Sequence, residues 1–190
     1  MKKENRRIKM TKLLLRNTLL SMMHETPVER ITVTALCEQA DINRSTFYLH
    51  YQSVDDLLST IENELYEAIN AEACVTNCFE PDEDSLSNVF EVIYQNKELC
   101  QVLLGKNGNK EFLRRVMTIE GDRLMEEWSS SVPNVPRWQL EYVYHFCILG
   151  SIGLVEHWAE KKFQQSPKEI AALFSRIPAS LIRGLSQEAE

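Results

Sequence analysis

Apolar residues along most of this chain recur at three- and four-residue intervals, the spacing of one face of an α-helix. In the first such segment, from about Asn5 to His24, basic and polar side chains fall between the apolar ones, and Pro27 ends the segment. No sustained alternation of apolar and polar residues, the pattern typical of β-strands, occurs anywhere. The sequence therefore predicts an all-α fold.

The same periodicity predicts further helices between breaks rich in glycine, proline or small polar residues. The predicted helices cover residues 33–39, 44–50, 54–77, 85–104, 110–128, 137–162 and 167–185. The predicted breaks are an acidic stretch with a proline at 80–85, a stretch with two glycines at 105–109, and a Ser/Pro/Asn stretch at 129–136. Ser166 is expected to cap the last helix, with Pro167 at its first position.

The segment from Thr32 to Leu57 predicts two short amphipathic helices joined by a tight turn. Thr32 or Thr34 suits the N-cap of the first helix, and Asn43 suits that of the second, because their side-chain oxygens accept backbone N–H bonds. Ile42 is expected to be the buried residue of the turn. This arrangement is typical of a helix-turn-helix, whose second helix presents its first residues to base edges in the major groove of DNA.

The residue types at the start of the second helix fit base recognition. Arginine can bridge guanine O6 and N7, and serine or threonine can bond several bases. Tyr48 and His50 are expected at the exposed rim, within reach of phosphate oxygens, whereas Phe47 is expected in the core. The predicted DNA-binding residues are Thr32, Thr34, Asn43, Arg44, Ser45, Thr46, Tyr48 and His50. A helical hairpin in an unrelated all-α protein is the alternative interpretation of this segment.

At these positions the sequence resembles the TetR/AcrR family of transcriptional regulators. The matching residues are Ile31-Thr32-Val33, Leu36, Ala40, Ile42, Ser45-Thr46-Phe47-Tyr48, His50-Tyr51, Ser53 and Leu57. The resemblance implies an N-terminal three-helix DNA-binding domain, residues 1–53, followed by a larger helical ligand-sensing and dimerisation domain, residues 54–190.

Two residues depart from the family pattern. Asp41 replaces a glycine in the turn, which is expected to survive because aspartate tolerates the left-handed backbone better than most residues. Val54 replaces a phosphate-binding lysine, so that contact is expected to be lost, and a Lys or Arg from residues 2–16 is expected to compensate.

The remainder of the chain is similar, more weakly, to the branch of the family that includes the dihydroxyacetone-kinase activators. The similar residues are 96–99, 103–105, 146–150, Gly153, Trp158 and 166–169. For a mostly apolar effector pocket, the candidate residues are Phe90, Tyr94, Met117, Trp128, Tyr142, His145 and Phe146. For a dimer interface, the candidate residues are Leu149, Gly150, Gly153, Ile170, Phe174, Ile177 and Leu181. Plain core packing within one protomer is the alternative for both sets.

Charge is distributed unevenly along the chain. The formal net charge is −7, but residues 1–51 carry nine Lys or Arg against five Asp or Glu, a balance of +4, which leaves −11 for the rest. The predicted helix-turn-helix lies in the basic part, so the acidic total does not argue against nucleic acid. An apolar fraction of 44%, with few glycines and prolines, excludes a disordered chain.

The sequence offers little support for other chemistry. Five cysteines form no evident disulfide framework, and the start of the chain lacks an apolar signal core, so a reducing cytoplasm is expected. The longest apolar run, residues 146–155, is about half of a membrane span, and no membrane partner is expected. Cys74 and Cys78 lack a second ligand pair for zinc, and the acids at 80–84 lack the spacing of a calcium loop. No catalytic motif is present, so neither an enzyme nor a cofactor is expected.

Together these observations predict a ligand-responsive repressor that binds a near-palindromic double-stranded operator as a homodimer. Its effector is expected to be a small molecule of apolar character. The alternative is a transcriptional activator or co-activator that acts mainly through protein–protein contacts.

Overall fold

The computed structural model describes residues 2–73, 83–105, 110–119 and 121–188. Within these ranges the chain is helical and contains no strand, which confirms the all-α prediction. The helices are α1 (Lys2–Met23), α2 (Val33–Ala40), α3 (Arg44–Tyr48), α4 (Val54–Ala73), α5 (Glu83–Gln95), α6 (Lys97–Leu103), α7 (Lys110–Met117), α8 (Gly121–Ser131), α9 (Arg137–Glu160) and α10 (Pro167–Glu188). A short 3-10 turn, Val28–Arg30, separates α1 from α2.

The predicted helical structure over residues 85–104 is confirmed, and it is divided into two helices at Asn96. This residue leaves the helical conformation (φ −103°, ψ 24°), and its side-chain amide donates to the Val92 carbonyl at 2.8 Å. A side chain that bonds the preceding turn competes with the helical backbone. Asn96 therefore separates α5 from α6.

The single helix predicted over residues 110–128 is wrong. The Thr118 hydroxyl donates to the carbonyls of Arg114 and Arg115 at 3.1 and 3.2 Å, and Gly121 begins a separate helix. That helix then runs into the predicted loop at 129–136 as far as Ser131. The hydroxyls of Ser129, Ser130 and Ser131 each donate to the carbonyl four residues back, at 2.8, 2.9 and 2.8 Å, so serine here accompanies helix rather than loop.

Several predicted features lie wholly or partly outside the described residues. The structure does not describe Cys74 and Cys78, residues 80–82 of the predicted acidic loop, or residues 106–109 of the predicted break. Residues 83–85, also predicted as loop, begin α5 instead.

One hydrophobic core runs from the first helices to the last. Leu15 and Leu19 of α1, together with Phe47 of α3, pack against α4, and the same cluster continues through Phe90 to Trp158. A smaller cluster around Trp128 and Ile182 joins α8, α9 and α10. We call residues 2–53 the head and the remaining described residues the body; α4 touches both, since it packs against α1, α5 and α7.

Candidate functional site

The turn between α2 and α3 is built by local bonds. The Ala35 N–H donates to Thr32 Oγ1 at 3.1 Å, and the Ser45 N–H donates to Asn43 Oδ1 at 3.2 Å. Both residues therefore cap helices as the sequence predicts, whereas Thr34 lies exposed inside α2. Asp41 ends α2 in the left-handed conformation (φ 53°, ψ 44°), so the turn forms without its customary glycine.

Helix α3 buries one side and exposes the other. Phe47 is completely buried and packs against the Tyr51 ring, with centroids 5.8 Å apart. Arg44, Ser45 and Tyr48 are exposed. Thr46 and His50 are half-buried. The structure thus presents Arg44, Ser45 and Tyr48 side by side on one outward surface, beside the exposed caps Thr32 and Asn43.

The sequence analysis missed Leu49. This side chain follows α3 directly and is 78% exposed, which is unusual for leucine. The signal was available, because the buried Phe47 and Tyr51 lie four residues apart and Leu49 lies two from each. An apolar side chain therefore stands at the rim of the surface formed by α3.

Helix α1 carries several cations, and the Nζ atom of Lys12 lies 5.8 Å from the centre of the Tyr51 ring, just after α3. Arg6, Arg7, Lys9 and Lys12 are exposed. Arg16 instead bonds Glu64 of α4, with Nη1 and Oε2 at 2.6 Å. Val54 is buried in the core, and the first turn of α4 carries Asp55 and Asp56, so it offers no cation in place of the family lysine.

A cavity of about 150 Å³ lies within the body, between α4, α5, α7, α8, α9 and α10. Its lining is mainly apolar and includes Phe90 and Met117 from the predicted ligand set, together with Ile93 and Phe174. Arg123 and Tyr144 add polar groups to this lining.

A second, more polar cavity of about 270 Å³ adjoins the first. The two share Ile119, Gly121, Arg123 and Tyr144 as lining residues, and the second adds Asp122. Arg123 and Tyr144 therefore stand at the boundary between an apolar and a polar compartment.

The other predicted ligand residues lie elsewhere. Tyr94 packs against Trp158 and Phe163, and Trp128 is buried in the smaller cluster. Tyr142, His145 and Phe146 are exposed on α9. Helix phase explains the difference, because Tyr144 faces inward from the same helix while its neighbours turn away.

An apolar stripe remains uncovered along α9. It comprises Trp138, Tyr142, Phe146 and Leu149, which are each more than half exposed, and it continues through Gly150 and Gly153. Leu173 and Ile177 of α10 are also exposed. A Cβ added at either glycine would meet no atom within 4 Å.

Three predicted dimer residues pack within the protomer. Ile170 is buried in the main core, and Phe174 is half-buried, with its ring 5.2 Å from that of Phe90. Leu181 is half-buried against the smaller cluster. These side chains lie on the inner side of α10, whereas Leu173 and Ile177 lie on its outer side.

Arg115 joins the cavity wall to α4. Its Nη2 donates to Asn63 Oδ1 at 2.9 Å, and its guanidinium lies 4.5 Å from the centre of the Tyr66 ring. Arg115 directly precedes Val116 and Met117, which line the cavity. One residue therefore links the cavity-lining end of α7 to the helix that leads to the head.

Burial changes the acidity of several side chains. Burial raises the pKa of the Cys100 thiol to about 12 and that of the Cys147 thiol to about 11. Burial, with a smaller contribution from the charge of Asp122, raises the pKa of the Tyr144 hydroxyl. All three groups stay protonated near neutral pH.

Two further properties concern metals and membranes. Within the described ranges, no three His, Cys, Asp or Glu side chains come close enough together to hold a metal ion. No helix in this part of the chain is long and apolar enough to cross a bilayer.

The fold is that of known transcriptional regulators. A TetR regulator from Streptococcus agalactiae is similar over 92% of this chain and 97% of its own, with a TM-score of 0.66 at 20% identity. The fatty acid degradation regulator FadR from Bacillus halodurans is similar over 89% and 94%, with a TM-score of 0.61 at 11% identity. The dihydroxyacetone kinase operon activator DhaS is similar over 92% and 97%, with a TM-score of 0.60 at 14% identity. At such identities the likeness concerns the fold alone.

The family follows from the sequence of the body. A TetR-type family described as "Transcriptional regulator C-terminal region" matches residues 83–178, just over half of the chain. The chain therefore belongs to the TetR family of transcriptional regulators, as its helix-turn-helix residues predict. None of the curated proteins matches it.

Proposed function

We propose that this regulator is a ligand-responsive repressor that binds a near-palindromic operator as a homodimer. The observation that carries the proposal is the outward surface of α3, where Arg44, Ser45 and Tyr48 stand exposed beside the caps Thr32 and Asn43. Donors of this kind, at the start of the second helix of a helix-turn-helix, suit the edges of bases in the major groove. We further propose that the head, residues 1–53, forms the DNA-binding domain.

Each of these side chains, and the half-buried Thr46 and His50 beside them, is assigned a contact by its chemistry. Arg44 reads guanine, and the hydroxyls of Ser45 and Thr46 bond neighbouring bases. Tyr48 and His50 bind phosphate, and Leu49 packs against a thymine methyl group at the rim. The exposed cations of α1 (Arg6, Arg7, Lys9 and Lys12) supply phosphate contacts in place of the family lysine.

The uncovered stripe of α9 supports the homodimer. Monomeric proteins rarely leave several large apolar side chains exposed along one stripe, and such stripes mark interaction surfaces. Gly150 and Gly153 leave room for close approach of a second helix, which compensates for their low helix propensity. A two-fold axis through this stripe and the outer side of α10 pairs two protomers as a four-helix bundle.

The cavity supports ligand control, because its wall is connected to the head. An effector that fills the cavity contacts Met117 and Phe90. Helix α7 is bound to α4 through the hydrogen bond from Arg115 to Asn63. Helix α4 in turn holds α1 through the Arg16–Glu64 ion pair. An effector that favours one position of α4 changes the distance between the two α3 helices of the dimer. Binding to successive major grooves requires this distance to be about 34–36 Å. The switch works only if the effector binds the two states with different affinity.

Footprinting on the DNA upstream of the regulator's own gene tests the proposal. The full-length protein is expected to protect two half-sites about one helical turn apart. Affinity is expected to fall steeply with salt, and unrelated DNA of equal length is expected to bind more weakly. Equal binding to both DNAs at every salt concentration would contradict the repressor proposal.

One observation favours a second candidate, a regulator that acts mainly through protein–protein contacts. The first turn of α4 offers buried Val54 and two aspartates where the family carries a phosphate-binding lysine. An activator or co-activator of this kind is expected to show no sequence preference alone and to acquire one when a partner is added. A reporter fused to the upstream region separates the candidates, since deletion of the regulator raises expression for a repressor and lowers it for an activator.

A further inference from the structure

We propose that the effector is a small amphipathic organic anion, with a hydrocarbon part of about benzene's size in the apolar cavity and a carboxylate at Arg123. This inference rests on the effector cavity of the proposed function and names its ligand class. It follows from the size of the cavity, the position of Arg123 and the state of the Tyr144 hydroxyl.

The size of the apolar cavity limits the hydrocarbon part. An apolar cavity of about 150 Å³ in a protein core is large enough to bind benzene. The cavity in this body has about that volume, and side chains such as Phe90, Ile93, Met117 and Phe174 line it. A single ring or a short alkyl chain therefore fits this cavity.

Arg123 supplies the charge that selects an anion. It lines both cavities, and its Nε atom is buried. Glu127 accompanies it, with Nε and Oε1 3.8 Å apart. A guanidinium carries five N–H donors in a planar fork whose geometry suits a carboxylate.

Tyr144 supplies a neutral donor beside the guanidinium. Its hydroxyl lies against Gly121 in the wall that the two cavities share. Because its pKa is raised, the hydroxyl stays protonated and donates to an anionic acceptor. Asp122 lines the polar cavity but not the apolar one, and among the described residues that line the apolar cavity the charged side chain is that of Arg123.

Calorimetry on the full-length protein tests the ligand class with compounds of nearly equal size. The probes are benzoate, its neutral amide benzamide, the neutral benzyl alcohol and the cationic benzylamine, with hexanoate as a chain-shaped anion. Benzoate is expected to bind about tenfold more tightly than benzamide, because charge-assisted hydrogen bonds are stronger than neutral ones. Equal or tighter binding of benzamide, benzyl alcohol or benzylamine would overturn the proposal, as would the absence of binding by both anions.

Variants assign the effect to the named residues. Arg123→Gln is expected to weaken benzoate about tenfold or more and to leave the weaker binding of benzyl alcohol unchanged, which also shows that the cavity is intact. Arg114→Gln, on the exposed side of the preceding helix, is the matched control and is expected to bind benzoate as the natural protein does. Unchanged benzoate binding by Arg123→Gln, in a protein with a normal circular dichroism spectrum, would refute the assignment.

The failure of this inference and that of the proposed function give different results. Footprinting without any probe compound tests DNA binding alone. The absence of a footprint would therefore contradict the proposed function without changing what calorimetry shows about the ligand class. Loss of the footprint with benzoate but not with benzamide is the expected regulatory result. An unchanged footprint at saturating benzoate would overturn the assignment of this class as the effector.

Discussion

The Tyr144 hydroxyl occupies the space that a side chain at Gly121 would need. A Cβ built on Gly121 would overlap this oxygen, and the nearest ring carbon would be 3.2 Å away. Glycine therefore lets α9 bring a phenol directly over the first turn of α8. The two cavities meet at this contact, so its geometry bears on both stability and ligand binding.

Gly121→Ala is expected to lower the free energy of unfolding by about 1–3 kcal/mol, the usual cost of an extra methyl group in a filled space. Urea denaturation followed by circular dichroism measures the change. Tyr144→Phe in the same chain removes the overlapping oxygen and is expected to restore part of the loss. Gly184→Ala is the control, because a Cβ there meets nothing within 4 Å; if it destabilised the protein as much as Gly121→Ala, the overlap would not be the cause.

Arg44→Ala is expected to weaken operator binding by about 1–3 kcal/mol and to relax the preference at one base pair, as expected for a side chain that reads a base. Tyr48→Phe is expected to weaken binding to all sequences by a similar factor, because a phosphate contact carries no sequence information. Fluorescence anisotropy with the operator and with single-base variants distinguishes the two. An unchanged base preference in Arg44→Ala would show that the proposed register of α3 is wrong.

Leu149→Glu is expected to convert the proposed dimer into monomers, because it places a charge on each side of the proposed two-fold apolar interface. Leu149 is 70% exposed in the protomer, so the substitution leaves the protomer core unchanged. Sedimentation equilibrium measures the mass. Leu14→Glu, the same change at an exposed leucine of α1, is expected to remain dimeric. Dimers of both variants would place the interface elsewhere.

Arg115→Ala is expected to cost about 1 kcal/mol, since it removes an exposed hydrogen bond to Asn63 and the cation–π contact with Tyr66. Arg115→Lys is expected to recover only part of this loss, because an ammonium lacks the planar guanidinium that stacks on the ring. Thermal unfolding followed by circular dichroism measures both variants. Arg114→Ala is expected to change stability by less than about 0.5 kcal/mol, as is usual for an exposed residue; an equal loss would refute the special role of Arg115.

The buried thiol of Cys100 predicts a loss of stability in alkali. Its pKa is about 12 in the folded protein and about 8.5 in an unfolded chain, so above pH 8.5 the unfolded state releases a proton that the folded state keeps. The resulting stabilisation is complete below pH 8.5 and declines as pH rises towards 12. Between pH 7.5 and 10.5 the free energy of unfolding is expected to fall by on the order of 2 kcal/mol more than in Cys100→Ala. Urea denaturation at each pH measures the free energy of unfolding. If this free energy fell equally with pH in the natural protein and in Cys100→Ala, the assignment to Cys100 would be contradicted.

The helix-turn-helix is predictable from sequence because its signals are local. Thr32 and Asn43 each accept a bond from an N–H only three or two residues away, and Phe47 differs from its neighbours in being large and apolar. Such features do not depend on the rest of the fold. The left-handed Asp41 was predictable for the same reason, since short polar side chains tolerate that conformation.

The cavity could not be predicted because six helices build it. Aromatic residues occur at Tyr142, Tyr144 and Phe146, and sequence alone does not tell which of them faces inward. The break between α7 and α8, next to Thr118, was predicted as continuous helix, and Arg123 lines the cavity from the separate helix α8 that follows it. The outer stripe of α9 could not be predicted either. Apolar residues occur on every side of this helix, and periodicity identifies a helix face only when the other faces are polar.

In the proposed dimer, Gly150 and Gly153 make the stability of the regulator depend on its concentration. Each glycine weakens α9 by about 1 kcal/mol relative to alanine. Packing of a second copy against the stripe offsets this cost, and this compensation exists only in the associated state. At low copy number a larger fraction of the chains is unfolded and open to proteolysis. The proposed repression is then expected to depend on the concentration of the regulator more steeply than DNA binding alone requires.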